Sequence, residues 1–204
     1  MDVLEEADGR TRRRSRNREA VVLAALELIR EHGRVPTMDE VADRSEVSAR
    51  SVFRYFDDAD DLVGAVIDQH RERLRPVWAQ AEGLAQLPTL VERAAAFAEV
   101  RVTLLEAMGP VAWVARVRAA DHPVIAAELS RVRAALRRQV ADTFEAELTG
   151  ARAHGPALLA AADVLCSWEA NDLHRHDHGL ARPDIVSGMA VALIRLLEPT
   201  RGCP

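Results

Sequence analysis

A chain of 204 residues is long for one small domain and suits a compact domain with an appended module. Hydrophobic residues make up 49% and aromatics only 4%, so the core must come mainly from Ala, Leu and Val, a composition that favours helix over sheet. The net charge of −5 argues against bulk electrostatic affinity for nucleic acid or an anionic membrane, so any such affinity needs a local patch. Two cysteines, Cys166 and Cys203, are too few for a disulfide framework. The charged N-terminus has no apolar signal region and no apolar run approaches a membrane span, so a cytoplasmic, non-membrane protein is expected.

In chain order, residues 1–15 read as a basic, disordered arm. Its run continues through 10–18 as RTRRRSRNR, with six Arg in nine positions. Such a run is either a solvated tail or an arm that reaches phosphates or a minor groove. From about 16 to 32, Val21, Ala24, Ala25, Leu28 and Ile29 recur at helical spacing, and Gly33 is placed to end the helix. Thr37-Met38-Asp39-Glu40 has the form of a capping box opening a short second helix. Ser48 is placed to cap a third helix over about 49–55, and Asp57 or Asp58 a fourth that runs to about 82. Further helices are expected near 89–107, 111–120, 123–148, 156–178 and 184–198, punctuated by Gly and Pro.

Three short capped helices with a tight turn between the second and third match a helix-turn-helix. In the third, Val47, Val52 and Phe56 can face a core, leaving Ser48, Ala49, Arg50, Ser51 and Arg54 outward. These are small residues and Arg, the types that let a helix approach base edges and bond guanine or phosphate.

The stretch from Arg18 to about His70 resembles the N-terminal DNA-binding domain of the TetR family of transcriptional regulators. The matching features are the helix ending in Gly33, then Thr37 followed by Val41-Ala42, then VSARSVFRYF (Val47 to Phe56), then an acid-capped helix. The resemblance implies an all-α fold: a helix-turn-helix domain over 16–57 and a helical effector-binding and dimerisation domain over 58–204. It implies a phosphate contact from Thr37, groove contacts from Ser48, Ala49, Arg50 and Ser51, and a backbone contact from the Tyr55 hydroxyl. The chain departs from the family pattern at three places. Phe53 stands where Tyr is frequent, Ala59 among four Asp stands where Lys is usual, and Ser45-Glu46 replaces Ala-Gly. Residues 9–56 still hold 11 Arg against 7 acids, a local +4. Arg12, Arg13, Arg14 and Arg16 are therefore candidates to supply phosphate contacts that the departures remove.

For the rest of the chain, the resemblance implies a homodimer on double-stranded operator DNA, formed through the helices near 156–178 and 184–198. Ala160, Ala161, Ala162, Gly188 and Ala190 would allow close approach there, and Leu158, Leu159, Leu165, Ile194 and Leu197 supply apolar area. Phe97, Met108, Trp113, Phe144 and Trp168 are candidates to line a pocket for an unknown small-molecule effector, with Arg101, Glu106 and Asn171 as polar anchors; ordinary core is the competing reading. In HRHDHG, His174 and His178 fall on one helical face beside Asp177. A helical metal-binding enzyme is the alternative this raises. Histidines beside a helix C-terminus, with Gly179 as its C′ residue, explain the pattern without metal, cofactor or catalysis.

Overall fold

The computed structural model describes residues 2–151 and 154–198, with side chains described from Thr11 onward, so the Arg10 side chain and Cys203 lie outside it. Ten α-helices follow one another among these residues: α1 (Asp2–His32), α2 (Met38–Ser45), α3 (Ala49–Tyr55), α4 (Ala59–Ala79), α5 (Leu90–Arg118), α6 (Pro123–Thr143), α7 (Glu145–Gly150), α8 (Gly155–Leu165), α9 (Trp168–Asp172) and α10 (Arg182–Leu197). A 3₁₀ turn occupies Leu84–Gln86 and a π-turn Leu173–Asp177. The fold is all-α, as expected. The described residues form two compact units, one of 2–73 with 109–129 and one of 74–108 with 130–151 and 154–198. That division differs from a simple boundary at 57/58, because most of α4 and parts of α5 and α6 group with the N-terminal helices.

The first unit is built on α1. Val21, Val22, Ala24, Ala25, Leu26, Leu28 and Ile29 form its buried stripe and meet Val41 and Ala42 of α2, Val52 of α3 and Phe56 just beyond it. Leu62 and Val66 of α4 and Val111 and Val114 of α5 close the same core. The helix is longer than its apolar pattern predicts. It starts at Asp2, so the arginine run, expected in a disordered arm, lies on a regular helix ahead of the buried stripe. Nothing in its polar sequence breaks a helix: residues 2–20 contain no Pro, and Arg, Glu and Leu are good helix formers.

Gly33 ends α1 with φ 63°, its N–H donating to the Ile29 carbonyl at 2.9 Å. Between α2 and α3 the left-handed position falls on Glu46, φ 56°, whose N–H bonds back to Ala42 and Asp43. A side chain with Cβ is strained there by about 1–2 kcal/mol. Glu46→Gly should therefore stabilise the chain by about 0.5–1 kcal/mol after the extra unfolded-state entropy of Gly is subtracted. Urea unfolding checks this, and an unchanged midpoint would mean the turn relaxes around glutamate without cost.

In the second unit, Phe97, Ala98, Val102, Leu104 and Leu105 of α5, Leu136 and Val140 of α6, Phe144, Ala162 of α8 and Leu193 of α10 are all buried. Gly109 takes a non-helical conformation (φ 36°, ψ −129°), so α5 is two helical segments meeting where Gly109-Pro110 predicts a break. The segment expected as one helix over 123–148 is interrupted at Phe144, which is fully buried and stacks edge-on against Phe97 with centroids 5.3 Å apart. At Gly155 a Cβ would lie 2.5 Å from the Leu148 carbonyl oxygen, so only glycine lets α8 start so close to α7.

The helix expected over 156–178 is also divided. Cys166 and Ser167 leave the helix, α9 starts again at Trp168, and a π-turn follows. Two exchanged hydrogen bonds explain the break. In a continuous helix the Cys166 carbonyl would accept from the Ala170 N–H. Instead that N–H donates to the Ser167 hydroxyl at 3.1 Å, and the carbonyl accepts from Arg101 at 3.0 Å. On α10, Arg182 donates to Glu99 at 2.6 Å, Thr103 at 2.8 Å and Glu106 at 3.1 Å, three residues on one face of α5. Arg175 also pairs with Glu106.

Candidate nucleic-acid interface and C-terminal core

On α3, Val52 and Phe56 are buried, while Ser48, Arg50, Phe53 and Arg54 are exposed. Ala49 and Ser51, expected fully outward, are half-buried, and the Ala49 methyl leans on the core. Ser48 stands at the N-cap, where its carbonyl accepts from Ser51 and Val52. Its hydroxyl makes no cap bond and lies 3.1 Å from the Ser51 hydroxyl instead. The expected side-chain cap is thus corrected to a pair of hydroxyls on the outer face. Tyr55 is half-buried, and its hydroxyl accepts from Arg54 at 3.4 Å.

Arg12, Arg13, Arg14 and Arg16 are all exposed on α1. Arg18, absent from the sequence-predicted set, lies over the Phe56 ring at 4.8 Å and so binds α1 to the end of α3. Phe53 was also missed. At 55% exposure it is the single large apolar side chain left open among the described residues of α1–α3. The signal was available, since Phe53 sits three residues after Arg50 and about 100° around the helix from Val52.

At the start of α2 the expected capping box forms. The Thr37 hydroxyl accepts from the Glu40 N–H at 3.3 Å, and Glu40 accepts from the Thr37 N–H at 2.7 Å. Arg34 clamps the same carboxylate, with one bond at 3.0 Å. That guanidinium first, and then the Thr37 N–H, hold the Glu40 carboxyl down at about 2, against an ordinary 4.5. Since the folded value is the lower one, the stabilisation is complete above about pH 4.5 and is lost as pH falls from there towards 2. The acid limb of a thermal-melt profile across that window should be shallower for Glu40→Gln than for the unsubstituted chain. Identical limbs would mean that the clamp contributes nothing to folding.

Asp58 caps α4 by accepting from the Asp61 N–H at 2.9 Å, and His122 Nδ1 lies 2.7 Å from Asp60. Asp58, Asp60, Asp61, Asp68, Glu19 and Glu72 line an open groove of about 1000 Å³ beside α1 and α4, with Arg18 and Arg71 as its cations. Acid in this place repels a phosphate chain, whereas the exposed arginines of α1 and α3 attract one.

The second unit gathers most of the expected pocket residues. Phe97, Met108, Phe144, Trp168, Asn171 and Arg101 are buried. Trp113 is corrected: it belongs to the first unit and is 49% exposed. Glu106 is already engaged by Arg175 and Arg182. Arg101 is the largest fully buried side chain. It donates to the carbonyls of Cys166 and Leu136 (2.9 Å) and to the Gln139 side chain at 3.1 Å, and it stacks on Phe97 at 4.6 Å. Burial lowers its pKa to about 10, and burial raises the Cys166 thiol to about 12. The Arg101 Nε and Asn171 Oδ1 have no hydrogen-bond partner. The His174 and His178 rings are 5.5 Å apart, and among the described residues no group of three or more His, Cys, Asp or Glu could hold a metal ion. No helix among the described residues is long and apolar enough to cross a membrane.

A capped α2, a three-residue turn and an exposed Arg-bearing α3 on a three-helix core define a helix-turn-helix protein. Residues 21–66 match the family described as bacterial regulatory proteins, tetR family. The N-terminal segment is thus similar to the DNA-binding part of that family of transcriptional regulators. Over 66 residues the chain is 41% identical to an uncharacterized HTH-type transcriptional regulator found in two strains of Mycobacterium tuberculosis, a match covering 30% of this chain and 28% of that relative. It thus matches less than a third of the relative's length. Three solved structures share the fold: a TetR-family regulator from a Rhodococcus species (TM-score 0.64, 18% identity, 90% of this chain and all of that one), the multidrug binding protein EbrR complexed with imidazole (0.64, 18%, 91% and 98%) and a TetR-family member from Streptomyces coelicolor (0.61, 19%, 90% and 99%).

Proposed function

We propose that this protein is a cytoplasmic, dimeric repressor that binds double-stranded operator DNA through α3 and is released by a small-molecule effector held in the second unit. The observation that carries the reading is the outer face of α3, where exposed Arg50, Arg54 and Ser48 stand opposite the buried Val52 and Phe56. The helix thereby presents guanidinium and hydroxyl groups to base edges while its apolar side anchors it. Arg12, Arg13, Arg14 and Arg16 add phosphate contacts, and exposed Thr37 and half-buried Tyr55 add two more. Effector control is supported by the fold shared with EbrR, which binds imidazole in its structure.

Pairing of two copies is supported by α8 and α10, which pack together and leave Ala160, Ala161, Val164, Gly188 and Val191 exposed. Ala162 and Leu197, both expected at such an interface, are buried in their own unit instead. Two half-sites one turn apart, about 34–36 Å, need two recognition helices at that spacing. Val191→Arg should yield a folded monomer by light scattering, with operator affinity lower by at least about tenfold through loss of the second half-site. A variant that remains dimeric would exclude α10 from the interface.

The direct test of the whole reading is sequencing of genomic fragments retained by the purified protein. An enriched two-fold symmetric motif is the expected result, and uniform retention of all fragments would overturn it.

A further inference from the structure

We infer that Phe53 packs against the 5-methyl group of a thymine in the major groove and so fixes one base pair of each half-site. The inference rests on the reading of α3 as the recognition helix and names a specificity determinant within it. Every other large apolar side chain described in α1–α3 is buried or half-buried, whereas Phe53 is 55% exposed. It borders the exposed side of the helix, with Arg50 one turn before it and Arg54 next in the chain. The two exposed guanidiniums draw the phosphate-rich duplex to this face, so Phe53 meets DNA whenever they do.

What a phenyl ring gains on arrival is narrow. It has no donor or acceptor for a phosphate or for the polar edges of guanine, adenine or cytosine. Left against those edges it would strip water from polar atoms without replacing their hydrogen bonds. The thymine 5-methyl is the one apolar group that the major groove displays, and contact with it removes apolar surface of both partners from water. A phenyl flanked by two arginines therefore discriminates thymine from the other three bases by a contact the arginines cannot make.

The test uses the full-length protein and the operator recovered by selection. Each thymine of a half-site is replaced in turn by deoxyuridine, which removes the methyl and leaves every hydrogen-bonding group in place. Anisotropy titrations should find one position per half-site at which this change weakens binding by about fivefold. Phe53→Ala, checked for its helical circular dichroism, should bind the two versions of that site equally, while Phe53→Leu should keep part of the preference. Equal binding of thymine and deoxyuridine at all positions by the unsubstituted chain, or a selected half-site without thymine, overturns the inference while leaving α3 as the recognition element. Persistence of the preference in Phe53→Ala overturns it as well. Loss of all sequence-selective binding would instead defeat the DNA-binding reading on which it stands.

Discussion

Replacing Arg101 with alanine is expected to destabilise the protein by about 3–5 kcal/mol. Two effects add. The largest fully buried side chain is removed from between α5, α6 and α8, and the Cys166 carbonyl loses the donor that ends α8. That carbonyl cannot recover its helical partner at once, because the Ala170 N–H is held by the Ser167 hydroxyl. Arg101→Met should cost roughly half as much, since it restores volume and removes a buried cation whose hydrogen bonds go to carbonyl oxygens. Urea unfolding of both variants measures the difference. A loss below about 1 kcal/mol in Arg101→Ala would show that the α8–α9 junction holds without the guanidinium.

Deleting residues 1–15 should reduce the salt dependence of DNA binding more than any single substitution. The deletion removes Arg10, Arg12, Arg13 and Arg14 but none of the buried stripe of α1, which begins at Val21. Each phosphate contact contributes about 0.9 to the slope of log K against log salt, so four lost contacts flatten it by about 3.6. Between 50 and 200 mM salt the intact chain should then lose about a hundredfold more affinity than the truncated one. An unchanged slope would assign the arginine run to solvent. The helical state of this segment sharpens the expectation, because arginines on a helix continuous with the core reach the duplex at fixed spacing and lose less entropy on binding.

The N-terminal architecture was legible because its determinants are local. Gly33, the Thr37–Glu40 box and the acid before α4 each act within a few residues, and the stripe from Val21 to Ile29 needs only helical periodicity. What the sequence concealed depends on partners far along the chain. The break at Cys166 requires Arg101, 65 residues away, and the docking of Arg18 requires Phe56. Trp113 read as pocket lining because a large aromatic carries the same letter whether it is covered or not; only packing put it at the surface. The Ser48 hydroxyl escaped for a subtler reason, since two partners were available within one turn and it took Ser51 rather than a backbone N–H.

That hydroxyl pair has a consequence for how the protein's targets can diversify. A serine hydroxyl rotates and offers either a proton or a lone pair, so it accommodates bases with opposite edge patterns. Ser48 and Ser51 can exchange these roles between themselves, one donating while the other accepts. If α3 reads an operator as proposed, the base pairs facing these two hydroxyls are the positions at which that operator can drift over generations without losing its regulator. A set of controlled genes would then grow by point changes there, while the positions under Arg50 and Phe53 stay fixed.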